Sequence, residues 1–195
     1  GDVYKRQVIV SVSAGFPAQA IWVDPNSYTT SPELDTLKTC DTFTVDVKIN
    51  ISLPLSANAT GMFGWQYILF WNSDNIELTA YQTHIPPNWA PPNGSLVADE
   101  VGVWDSAAHG GDFPEEDGRD YHMYAYSCTK GPPFLGVISL CTYEFHVIET
   151  VYEPSPDEID TLRLKWVKFM DDKAKVIPMT IDLSLIHISE PTRPY

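Results

Sequence analysis

Two stretches of this chain alternate between apolar and polar residues, the first of them strictly, and that period of two decides what it can fold into. In residues 41–53, Phe43, Val45, Val47, Ile49 and Ile51 share one side, and Thr42, Thr44, Asp46, Lys48 and Asn50 share the other. In residues 136–148, Cys141, Tyr143, Phe145 and Val147 oppose Thr142, Glu144 and His146. Such alternation belongs to a β-strand with one face buried. Residues 62–72, MFGWQYILFWN, predict a third strand, apolar on both sides, and residues 76–81 a fourth after the turn Asn72-Ser73-Asp74-Asn75. Shorter strands are expected over 101–105 and 121–127, and an alternating one over 160–170. Prolines cluster between these runs, where they interrupt no ladder. No segment sustains a helical period. Many short strands with turn signals between them predict an all-β sandwich.

The two ends read differently. Residues 2–7, DVYKRQ, can be encoded by GATGTGTATAAGAGACAG, and residues 183–188, LSLIHI, by its reverse complement, CTGTCTCTTATACACATC. These resemble the translated ends of a transposon-based sequencing adaptor, so residues 1–7 and 183–195 are set aside from fold reasoning. Residues 8–20, VIVSVSAGFPAQA, are uncharged and close on the small-x-small pattern Ala18-Gln19-Ala20, as the tail of a truncated secretory signal does; a first strand, VIVSVSA, is the alternative. A secreted or cell-surface domain over residues 21–182 is then expected. No other segment approaches the roughly 20 apolar residues of a membrane-spanning helix.

The formal net charge of −14 argues against nucleic acid and anionic membrane as partners. Three cysteines, Cys40, Cys128 and Cys141, form no CxxC pair, which argues against zinc. In a secreted chain they imply one disulfide and one free thiol, with three pairings open, or else three free thiols.

With the strands in order, a family resemblance emerges. Ile21-Trp22-Val23-Asp24-Pro25 resembles a short first strand of cohesin-like domains. Cys40-Asp41-Thr42-Phe43-Thr44-Val45-Asp46-Val47 resembles their G-D-x-F-x-V-x-V strand, with Cys40 where glycine is usual. Residues 64–72, followed by Asn75-Ile76-Glu77-Leu78, resemble the strand-turn-strand that follows, with Ser73-Asp74 in place of Asp-Pro. Ser139-Leu140-Cys141-Thr142-Tyr143-Glu144-Phe145-His146-Val147 resembles a later core strand. The likeness is nearest to archaeal surface-protein variants; residues 81–120 are longer and more irregular than the pattern. It implies a nine-stranded antiparallel jelly-roll β-sandwich of the carbohydrate-binding-domain superfamily. It also implies that the second strand pairs with the seventh, so that Cys40 and Cys128 would lie side by side as a disulfide.

No GxSxG, HExxH or phosphate loop occurs and the histidines are scattered, so no catalytic residue is expected. Three binding features are. If Trp65, Tyr67, Leu69 and Trp71 face the core, Ile68 and Phe70 face outward. Ile138 and Leu140 are outward if Cys141 and Tyr143 are inward. The resemblance puts these two strands side by side, on the sheet that cohesins use to hold dockerins, giving an apolar patch for a protein partner. Trp89, in a proline-rich loop, and Trp104 are candidates for stacking on a polysaccharide. Asp112, Glu115, Glu116, Asp117 and Asp120 form an acidic loop that could hold calcium, although no EF-hand spacing is present and a solvated loop is the simpler reading. Asn50, Asn58 and Asn93 head glycosylation sequons. A protein-binding assembly module is the leading expectation, with a carbohydrate-binding module or a structural spacer as alternatives.

Overall fold

The computed structural model describes residues 19–25, 40–53, 55, 59–148 and 162–182. The adaptor-like ends, most of the leader-like segment and Asn58 lie outside them. Ten strands form two sheets: β1 (Ala20–Pro25), β2 (Thr42–Ile51), β3 (Met62–Trp71), β4 (Ile76–Thr83), β5 (Gly94–Val103), β6 (Asp120–Cys128), β7 (Gly136–Val147), β8 (Arg163–Asp171), β9 (Val176–Ile177) and β10 (Thr180–Asp182). The first sheet runs β10-β1-β2-β7-β4 and the second β5-β6-β3-β8-β9. Every pairing is antiparallel except β1 with β10.

The expected jelly-roll sandwich is therefore present, with ten strands rather than nine. Two of the ten, β9 and β10, are short pieces at the β8 and β1 edges, too brief to leave an alternating signature. β5 is also longer than the five residues expected, because its exposed residues dilute the pattern.

The core is where the alternation places it. Val45, Val47, Ile49, Tyr143, Phe145, Ile21 and Val23 from the first sheet meet Trp65, Tyr67, Leu69, Trp71, Tyr124, Leu164 and Phe169 from the second. Burial of side chains this size contributes roughly 1.5–3 kcal/mol each before entropy is charged against it.

One local feature overrides the simple period. Val47 pairs with Cys141 while Lys48 pairs with Ser139, so Leu140 is an extra residue in β7. A bulge of one residue reverses which side chains face inward beyond it. Leu140 is consequently fully buried in the core, and Ile138 packs against it opposite Ile49.

The cysteine expectation is corrected here. Cys40, Cys128 and Cys141 are all free thiols. β2 does pair with β7, but Cys128 ends β6, in the other sheet, opposite Gly94. Cys40 instead donates its backbone N–H to the Val147 carbonyl at 2.8 Å. Its φ of 73° lies in the left-handed region, which explains why glycine suits this position in the resembling pattern.

Candidate functional site

The outer face of the second sheet is built by the alternate residues of β3 and their neighbours. Ile68 pairs with Met123 and Phe70 with Tyr121 across β6, while Gln66 pairs with Ala125 and Gly64 with Ser127. One half of this face is roofed. Ile68, Phe70, Trp104 and Tyr121 form a second buried cluster, with Phe113, Met123 and Trp166 packed against it. Trp104 meets Phe70 and Tyr121 edge-on at ring-centroid distances of 5.2 Å for both, and His109 stacks on Trp104 at 3.9 Å.

The roof is the β5–β6 connection, residues 104–119, and its shape is set by short polar side chains. Asp105 caps the turn Ser106–His109 by accepting from the Ala107 N–H. Asp117 accepts from the Ser106 N–H at 2.6 Å and from its hydroxyl at 2.8 Å. Trp104 Nε1 donates to the Asp112 carbonyl at 3.2 Å. Glu116 is fully buried and pins the loop to β8: Arg119 Nε and Arg163 Nη1 each lie 3.2 Å from its carboxylate and Lys165 Nζ 3.7 Å.

These contacts give most of the acidic-loop carboxylates partners within the protein. Glu116 and Glu115 face cations, Lys165 Nζ being 3.1 Å from Glu115. The Glu115 carboxyl is held below its ordinary range by its own backbone N–H and then by Lys165. Asp117 is committed to Ser106, and burial raises the carboxyl of Asp120 at the start of β6. Asp112 is exposed. Among the described residues, no three His, Cys, Asp or Glu side chains converge as a ligand set. Apart from Arg119 within the loop, the cations that answer it, Arg163 and Lys165, come from β8, nearly fifty residues later in the chain.

Two further expectations are corrected. Trp89 is 0% exposed. Its ring stacks on Trp65 at 5.4 Å and its Nε1 donates to the Pro132 carbonyl at 2.7 Å. The proline-rich loop folds back and uses this ring to close one end of the core. Trp104 is 1% exposed beneath the roof, so neither indole is a platform for a sugar. The four-residue apolar patch is also absent. β3 lies between β6 and β8, and β7 between β2 and β4, in opposite sheets. Ile68 and Phe70 are sealed by the roof, and Leu140 by the core.

What remains open on this face is its other half. Gln66, Met123 and Ser127 are half-buried beside Gly64 and Ala125, which add almost no relief. Half-buried Trp166 and Met170 flank them on β8, with Lys168 Nζ 5.1 Å over the Trp166 ring. The outer face of the first sheet is different: a polar ladder crosses it. His84 hydrogen-bonds Thr142 at 3.0 Å, Thr142 donates to Asp46 at 2.6 Å, and Lys48 sits 2.6 Å from Asp24. Sequence reasoning missed the edges. Leu96, Val97, Val101 and Val103 of β5 and Tyr81 of β4 are all 40% exposed or more. Their apolar character was visible, but which strands lie at an edge was not.

The fold defines a class: a cohesin-like jelly-roll sandwich with a half-open outer sheet face. Solved structures resemble it over most of its length. A cohesin module from a Clostridium perfringens family 33 glycoside hydrolase superposes with a TM-score of 0.52 at 9% identity, covering 88% of this chain and 98% of that one. A type I cohesin–dockerin complex from Clostridium thermocellum gives 0.50 at 12% identity, covering 87% and 93%. A non-cellulosomal cohesin from the archaeon Archaeoglobus fulgidus gives 0.47 at 13%, covering 85% and 86%. No family model and no curated protein matches the sequence.

Proposed function

We propose that this chain is a non-catalytic, extracellular protein-binding module that holds its partner on the open half of the outer β5-β6-β3-β8 face. The observation that carries the reading is the contrast between its two outer faces. One is crossed by hydrogen-bonded charges, costly to strip of water. The other offers flat, half-buried side chains and a tryptophan, the composition of an interface centre. The Clostridium thermocellum structure of similar fold is a cohesin with a dockerin bound, which makes a dockerin-like module the first partner to try. The polysaccharide reading loses its support because both of its tryptophans are buried.

The test is surface plasmon resonance of the immobilised chain against a panel of purified dockerin modules. Gln66→Asp and Ser127→Arg should weaken any captured dockerin about thirtyfold or more, the scale of placing an unpaired charge at an interface centre. Thr44→Asp, on the other sheet, should not. Loss of binding with Thr44→Asp alone would put the partner on the wrong face in this reading. Silence across the panel would reject a dockerin-type partner and leave the structural spacer as the better account.

A further inference from the structure

A chain of hydrogen bonds crosses the sandwich from its edge to its centre. Asp99 on β5 accepts from His122 Nε2 at 2.8 Å; the His122 Nδ1 lies 2.6 Å from the Tyr143 hydroxyl; and the Tyr143 and Tyr67 hydroxyls are 2.9 Å apart. His122 and Tyr67 belong to one sheet and Tyr143 to the other. The imidazole is 0% exposed. Tyr81 of β4 lies on its ring at 4.6 Å, and Tyr124 of its own strand stacks at 5.9 Å.

The carboxylate fixes the direction of every proton. Asp99 can only accept, so Nε2 carries the hydrogen, and Nδ1 must accept from Tyr143, which in turn accepts from Tyr67. A second proton on His122 would turn Nδ1 into a donor aimed at a donor. Tyr143 would have to reverse toward Tyr67. The Tyr67 hydrogen would then be left with the Cys141 sulfur, a weak acceptor. No neighbour takes the charge instead. Burial pushes Cys141 up to about 12 and raises Tyr67 and Tyr143 well above their ordinary value, and Tyr81 and Tyr124 are raised too. Burial outweighs the Asp99 carboxylate, so the His122 pKa is lowered.

The route to water is short. β4 and β5 are edge strands, each paired on one side only. Parting Tyr81 and Asp99 from His122 is therefore the least disruptive opening that hydrates the ring. We propose that Asp99, His122, Tyr143 and Tyr67 form an acid-sensitive clasp, which holds edge strands β4 and β5 over the core while His122 is neutral and releases them when it is protonated. The sign follows from linkage. A histidine whose folded value is depressed contributes stability above its free value of about 6.5, and that stability is lost as pH falls below it. One unit below, the open edge should be more populated, with about tenfold as the ceiling that linkage sets. The clasp stands whether or not the outer face holds a partner.

Hydrogen exchange of the full chain, corrected for intrinsic rates, tests it at about pH 7.5 and about pH 5.5, one unit either side of free histidine. Amides of β4 and β5 should lose protection relative to β2 at the lower pH, by up to about tenfold. His122→Gln, which can donate to Asp99 and accept from Tyr143 without titrating, should keep its edge protection at both. Unchanged wild-type protection overturns the clasp, and so does an equal loss in His122→Gln. Should that variant not fold, the wild-type imidazole proton resonance decides. A ring that becomes protonated in place while β5 stays protected refutes the proposal.

Discussion

Substituting Gly94 by alanine should destabilise the domain by about 2–5 kcal/mol. Gly94 opens β5 opposite Cys128, with an unstrained backbone, so the only change is one methyl group. That methyl would overlap the Trp89 carbonyl and come 2.5 Å from Tyr126 Cε1. Neither can retreat. Trp89 is wedged against Trp65 and tethered to Pro132, and Tyr126 stacks on Trp65 at 5.5 Å while its hydroxyl donates to the Trp89 carbonyl at 2.8 Å. Forcing a methyl into a packed core costs roughly 1–3 kcal/mol, and breaking the buried Tyr126–Trp89 bond about as much again. For a chain of this length, Tm should fall by roughly 5–20 °C. Urea titration followed by tryptophan fluorescence reads it directly, with the midpoint moving and the slope unchanged. A loss under about 0.5 kcal/mol would show that Trp89 does not lie across β5 and β6. It would restore that ring as a candidate surface platform.

Glu116→Gln removes the charge that three cations share. Because those cations are a fifth to a third exposed, the loss should be about 1–3 kcal/mol rather than that of a fully buried pair. Urea titration and the near-ultraviolet signal of Trp104 would report it. Thiol titration should find three reactive groups in the unfolded, unreduced chain and one fast group, Cys40, in the native one; two missing thiols would mean a disulfide. Tyr121 is raised to about 12 by burial and then by the Glu100 carboxylate that accepts from it. A raised folded value gives stability that is complete below the free tyrosine value of about 10 and lost above it. Denaturation midpoints should thus fall from about pH 10 upward, less steeply in Tyr121→Phe.

The strands that sequence located best are those with one dry and one wet face. β2 and β7 were visible because burial imposes a period of two on their side chains, whereas β3, apolar on both faces, stood out by its run of large apolar residues. What failed were properties set by distant chain. The extra residue at Leu140 looks like ordinary alternation, yet it turns Ile138 and Leu140 into the core. Whether β3 neighbours β7 depends on topology, which no local pattern carries. Trp89 sits among prolines that exclude it from a strand, but its burial comes from Trp65, Tyr126 and Pro132. The acidic loop reads as a cation trap only while Arg163 and Lys165 are out of view.

Ile68 and Phe70 show how such a mistake can contain a true inference. A strand apolar on both faces must be covered twice, and the sequence stated that plainly. The second cover is the 104–119 connection, through Trp104 and Phe113. That connection is stiffened by Asp105, Asp117 and Glu116, each bonded within the roof or across to β8. A rigid roof over one half of the face divides it into a sealed part and an open part. On the docking reading, a partner would meet the Gly64–Ser127 end and be excluded from the Phe70 end, so the roof would act on specificity by shape without touching the partner's central contacts.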